Sequence, residues 1–247
     1  MNNMTSKSTP ILIAALVIAA FLVGTLWTKV QYLEKKPAPS ASPSPEANPT
    51  TPDQTPAAKP QINIRPEDPT KGSKDAKLTI TVFSDPSCPF CAAAAGYSAT
   101  VDYLKKNDPT WTAPVPGIIK EYVNTGKVRL VFKYYPGHGT GEEAMKYLWC
   151  ANDQGKFWEL HDEEFANQEK LDKASLDGYV KKLGLDSAKI AECLSSGKYD
   201  GFAAKETEDG KLAQVSGTPG FFIGDKSFPG AYSFATLKVA IEEELKK

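Results

Sequence analysis

Cys88 and Cys91 stand where one kind of chain gives way to another. Before them, residues 77–83 (KLTITVF) alternate and are rich in β-branched side chains, the pattern of a strand. After them, AAAAGYSATVDYLKK has the composition of a helix and ends before Asn107-Asp108-Pro109. Only Pro89 and Phe90 separate the two thiols. A CxxC pair at a strand-to-helix junction serves as a metal site, a structural staple or a redox couple, and the surrounding chemistry separates the three.

A cysteine at a helix start faces unpaired backbone N–H groups and the positive end of the helix dipole, which stabilise a thiolate. The pKa is expected below the free value of about 8.5. At positions i and i+3 the two sulfurs share a helix face, where a disulfide can close. Pro89 falls in the first turn, where its missing N–H is harmless. Cys88 is therefore expected as the exposed, attacking thiol and Cys91, one turn inside, as the resolving thiol. A zinc site needs two further ligands. The chain has no second CxxC, and His138 and His161 form no spaced ligand pair. A four-residue loop removes too little chain entropy to be worth stapling. No metal and no cofactor is expected.

GIIKEYVNTG (117–126) reads as helix closed by Gly126, and KVRLVFKYY (127–135) as strand. Residues 141–214 carry apolar residues at helical spacing in successive pieces. VSGTPGFFIGDKSFPG (215–230) suits two short strands joined at Gly224-Asp225, and FATLKVAIEEELKK a final amphipathic helix. The order is βαβ, a helical block, then ββα. Cys150 and Cys193 lie in that block, in LWCAND and AECLSS. A bridge between them closes a loop of about 44 residues and adds about 3–4 kcal/mol in the chain-entropy model. An even cysteine count in an exported protein favours it over two free core cysteines. His138 is assigned a loop or capping role. Phe157, Trp158, His161 and Phe165 are assigned to the core, and Trp111 to packing.

The N-terminal third is different. Ile11 to Trp27 is uncharged and almost wholly apolar, about 26 Å of helix, the low end of a bilayer span. The sequence after Val23 lacks a small-x-small cleavage site, and no cysteine precedes Cys88 to take a lipid. The expectation is a short tail (1–10), an uncleaved transmembrane signal anchor (11–28) and a disordered linker (29–70) before the folded domain at 71–247. Pro37, Pro39, Pro43, Pro45, Pro49, Pro52, Pro56 and Pro60 mark the linker as an extended tether. The net charge of −1 offers no footprint for nucleic acid.

SCPFC after a strand, QGKFWELHDEEF within a helical block and GTPGFFIG near the end resemble the DsbA-like thiol–disulfide oxidoreductases of the thioredoxin superfamily, in order and over residues 71–247. The resemblance implies an α/β thioredoxin fold with an inserted α-helical domain. It also implies a cis-proline loop facing the cysteines, matched here by Thr218 and Pro219. The backbone of residue 218 would then hydrogen-bond an extended substrate beside Cys88. Two departures stand out. The acidic position six before the first cysteine is Val82, and the first helix-to-strand connection (105–117) is long. Asp85 is nearer the cysteines but reads as a loop cap. Phe90 cannot favour the thiolate as a cationic histidine would, so a milder oxidant is expected. The implied function is a single-pass, membrane-tethered extracytoplasmic oxidoreductase. It would be a monomer, exchange disulfides with exported proteins and be recycled by a membrane redox partner. The rival readings are a reductase or isomerase, and a non-catalytic peptide-binding or chaperone module.

Overall fold

The computed structural model describes residues 60–97, 100–137 and 141–247. The tail, the apolar run and most of the Pro-rich tract lie outside the described residues, as does His138. Among the described residues no helix is long and apolar enough to cross a membrane.

The predicted strands form and pair into one sheet. Strand β1 (Thr70–Lys71) was not anticipated; β2 (Leu78–Ser84), β3 (Val128–Tyr134), β4 (Gly220–Ile223) and β5 (Lys226–Pro229) follow. Their order is β1-β3-β2-β4-β5. Strands β2 and β3 run parallel with Val82 opposite Phe132, and β4 runs antiparallel to β2 with Phe221 opposite Val82. Covered on both faces, β2 is buried at every residue but Thr79, which explains its near-continuous apolar run.

The first crossover differs from the expected single helix. It breaks into α1 (Pro89–Ala95) and α2 (Thr100–Asn107). Gly96 ends α1 in the left-handed region, φ 95°, with its N–H bonded back into the last turn. The next helical piece begins earlier than expected, as α3 (Pro114–Ile118) continued by a π-helical turn over Ile119–Val123. Trp111, in the long connection, is buried and donates its indole N–H to the Ala231 carbonyl at 2.9 Å.

Between β3 and β4 come α4 (Gly141–Asn152), α5 (Phe157–Ala166), α6 (Lys173–Lys182), α7 (Ser187–Ser195) and α8 (Phe202–Leu212); α9 (Phe234–Leu245) closes the chain. Asp172 and Asp186 cap α6 and α7 through their carboxylates. Cys150 on α4 and Cys193 on α7 are joined as a disulfide with Cα atoms 5.9 Å apart. Trp149 packs against Tyr199 and Phe202 beside it.

The folded domain also reaches back into residues assigned to the linker. Ile62 packs beneath Phe83, Ala213 and Phe222. Asp68 is buried, 2.8 Å from the buried Lys133 ammonium, which also meets Glu206 at 2.7 Å and Asp209 at 3.1 Å. Arg65 binds the same Asp209 at 2.7 Å. A lysine on a central strand is tolerable only with such partners, and two of the residues completing the network come from the stretch before β1.

Candidate active site

The turn after β2 is built by Asp85. Its Oδ1 accepts from the Ser87 N–H and hydroxyl, both at 2.8 Å, and its Oδ2 accepts from the Gly137 N–H at 2.7 Å. Its own carbonyl accepts from the Cys88 N–H at 3.0 Å. This is the loop-capping role its sequence context suggests. It delivers Cys88 to the N-cap of α1 with Pro89 at the first helical position.

Across from α1 the chain returns through Thr218-Pro219, whose peptide bond is cis. The Thr218 carbonyl lies 3.5 Å from Cys88 Sγ. The predicted loop and the predicted cysteines are thus brought together. Gly137 completes the wall: a Cβ there would overlap Thr218 Oγ1, so only glycine lets these loops approach so closely. Gln168, just past α5, donates from its amide nitrogen to the carbonyls of Pro86 and Cys88, at 2.5 and 2.9 Å. Sequence reasoning missed Gln168, whose partners are 80 and 82 residues away, and nothing local marks it.

One expectation is corrected here. Cys88 is not exposed: its relative accessibility is 0%. The N-terminal position alone would leave it open to solvent, but the Thr218 loop and the Gly137 segment close over it. Pro89 is exposed and Phe90 half-buried, its ring edge against Tyr103 at 6.5 Å.

Both thiols are free. Cys88 has its pKa lowered to about 6, chiefly because the Cys91 thiol donates to it, with Thr218 and the first-turn N–H groups of Phe90 and Cys91 assisting. Cys91 is pushed the other way by burial, then by the adjacent Cys88; the Ser84 hydroxyl bonding to it offsets part of this. The pair is therefore polarised: Cys88 gives up its proton readily and Cys91 holds its proton tightly. Val82 lines the same small cavity as Cys91, with no ionisable group of its own. His161 is buried among Phe132, Trp158 and Phe165, as its helical spacing predicts, and lines that same cavity. No cluster of metal-ligating side chains occurs among the described residues.

Known proteins resemble this chain in sequence and fold. A family model described as Thioredoxin matches residues 110–243, beginning after the cysteine pair. The probable disulfide bond formation protein D of Bacillus anthracis is 28% identical over 193 residues, 71% of this chain and 77% of that protein. An Na(+)/H(+) antiporter NhaA 3 of Salinispora tropica is 28% identical over 174 residues, 69% of this chain; this chain spans 24% of the antiporter's length. Among solved structures, oxidised BdbD from Bacillus subtilis superposes with a TM-score of 0.59 at 22% identity, over 76% of this chain and 97% of that one. The chain belongs to the thioredoxin family.

Proposed function

We propose that the chain exchanges disulfides with exported proteins through Cys88 and Cys91, as a domain tethered to the outer side of a cell membrane. The observation that carries the reading is the polarised pair: a Cys88 thiolate favoured by the Cys91 thiol, at a helix N-cap, with the Thr218 carbonyl at 3.5 Å. In the oxidised enzyme a substrate thiolate attacks the Cys88 sulfur, breaks the Cys88–Cys91 bond and leaves Cys91 to take a proton. A second substrate thiolate attacks its own half of the mixed disulfide and releases Cys88 as thiolate. The low Cys88 pKa makes it a good leaving group in that step. Thr218 and Pro219 present the backbone edge along which an extended substrate lies. A non-catalytic binding module has no use for a pair so polarised.

The residues outside the described region supply the rest of the reading. The run at 11–28 anchors, the Pro-rich tract spaces the domain from the bilayer, and a membrane redox partner reoxidises Cys91 and Cys88. The protein works as a monomer. With phenylalanine at position 90 the couple is a mild oxidant.

Insulin reduction by the whole chain, followed by turbidity, tests the reading. Turnover lost in Cys88→Ser, with a mixed disulfide trapped on Cys88 in Cys91→Ala, is the expected result. Equal turnover in both variants and the parent refutes it.

A further inference from the structure

When Cys91 attacks, it must lose a proton, and burial holds that proton tightly. Val82 cannot take it. Cys91 lines a cavity of about 10 Å³, room for one water molecule. Its polar lining is Cys91, Ser84 and His161, the two to four partners a buried water requires. His161 comes from α5, which packs directly on α1. Its ring is buried, with Phe165 at 4.2 Å and Phe132 at 5.4 Å. Its Nδ1 lies 2.9 Å from the Asp162 carboxylate. That contact assigns the ring proton to Nδ1 and leaves Nε2 with a free lone pair.

We propose that His161 is the proton acceptor for Cys91, reached through one water held in this cavity. The inference rests on the reading of Cys88 and Cys91 as an exchanging pair. In the step, a substrate is joined to Cys88 as a mixed disulfide. The cavity water takes the Cys91 proton as it passes its own to Nε2. The Cys91 sulfur forms a bond to Cys88 Sγ, the Cys88–substrate S–S bond breaks, and the substrate leaves as a thiolate that protonates in solvent. One disulfide is made and one reduced, and no further oxidant is needed. Asp162 steadies the imidazolium, as a carboxylate does in an acid–base triad.

The groups facing His161 suit this use. Burial keeps its pKa below the ordinary value, so the imidazole is neutral and free to accept. Asp162 favours the protonated ring, and Lys71 on β1, 5.2 Å over the Trp158 ring, opposes it. The Tyr97 hydroxyl also bonds to the Asp162 carboxylate. Cys91 completes the set. His161 acts through the water, so it positions and receives the proton without touching the sulfur that reacts.

The test uses the reduced whole chain and dithionitrobenzoate, an aromatic disulfide that releases a coloured thiolate at each of two steps. The first release reports attack by Cys88. The second, from the Cys88 mixed disulfide, reports attack by Cys91. In His161→Gln the second release is expected to slow at least about tenfold near neutral pH and to climb about tenfold per pH unit, while the first is unchanged. A folded His161→Gln whose second release keeps its rate and pH profile overturns the proposal. His161→Phe serves the same purpose if the glutamine variant does not fold. The wild-type profile decides by itself if neither folds: a plateau through neutral pH supports a local acceptor, and strict proportionality to hydroxide contradicts one. A wild-type protein with no second release refutes the exchanging pair itself, whatever His161 does.

Discussion

Two identical side chains three residues apart are given opposite acid–base characters by their surroundings. Cys88 collects donors: the Cys91 thiol, the Thr218 side-chain hydroxyl and the first-turn N–H groups. Cys91 collects only enclosure, relieved by Ser84. Because the Cys91 thiol is the largest influence on Cys88, Cys91→Ala should raise the Cys88 midpoint from about 6 toward the free thiol value of about 8.5. Alkylation rate against pH, read by mass spectrometry, checks this. Labelling in the parent should follow a titration near pH 6 at Cys88 and barely reach Cys91. The sign for stability follows from the lowered value. Ionisation of Cys88 stabilises the reduced native state fully above the unfolded thiol pKa, and that contribution is lost as pH falls through about 6. The N-cap position and Pro89 were legible in the sequence because they are local. The burial of Cys88 was not, since Thr218 and Gly137 arrive from 130 and 49 positions away.

At the level of elements, local patterns were legible wherever a strand or helix makes its own case. β2 and β3 declare themselves by β-branched alternation, and the helical block by spacing. The break between α1 and α2 was hidden because the alanines before Gly96 and TVDYLKKN from Thr100 both favour helix, and among the described residues only the left-handed Gly96 marks the end of α1. The stretch before β1 read as linker because asparagine, arginine and aspartate look solvated; their partners Lys133 and Asp209 lie 65 to 146 positions on. The inserted helices carry two separable energetic features. Removing the α4–α7 disulfide by Cys150→Ala and Cys193→Ala together should lower unfolding free energy by about 3–4 kcal/mol while thiol exchange persists. Denaturant melts and the two-step thiol release check both halves.

Glu164 on α5 is the opposite case. It is wholly buried, neither carboxyl oxygen has a hydrogen-bond partner among the described residues, and burial drives its pKa far up. Burial favours its protonated form in the native state, whereas water favours its ionised form once the chain unfolds. Its contribution is therefore greatest below the unfolded value and is lost as pH rises, by up to about 1.4 kcal/mol per unit until the folded value is reached. Glu164→Gln should flatten that loss. The difference in melting temperature between variant and parent should grow as pH rises above the ordinary carboxylate value, and a constant difference would contradict the assignment.

Across the whole molecule, a buried ionic knot joins the stretch before β1 to β3 and α8. It fixes the beginning of the folded domain near Ile62, so the proposed tether is shorter than 29–70 by about eight residues, or ~25 Å of extended chain. Charge gives no rival purpose to the surface, since Lys+Arg 29 and Asp+Glu 30 nearly cancel. What distinguishes the molecule is that it holds two cysteine pairs in two environments. Cys150 and Cys193 are joined as a disulfide, and Cys88 and Cys91, free here, are the pair proposed to open and close. The decisive measurement equilibrates the whole chain with glutathione buffers from strongly reducing to strongly oxidising and maps both disulfides at each point. The account predicts that Cys88–Cys91 passes reversibly between thiols and disulfide within that range while Cys150–Cys193 remains bonded. Cysteines 88 and 91 that stay reduced throughout, or that pair with 150 or 193, would contradict it.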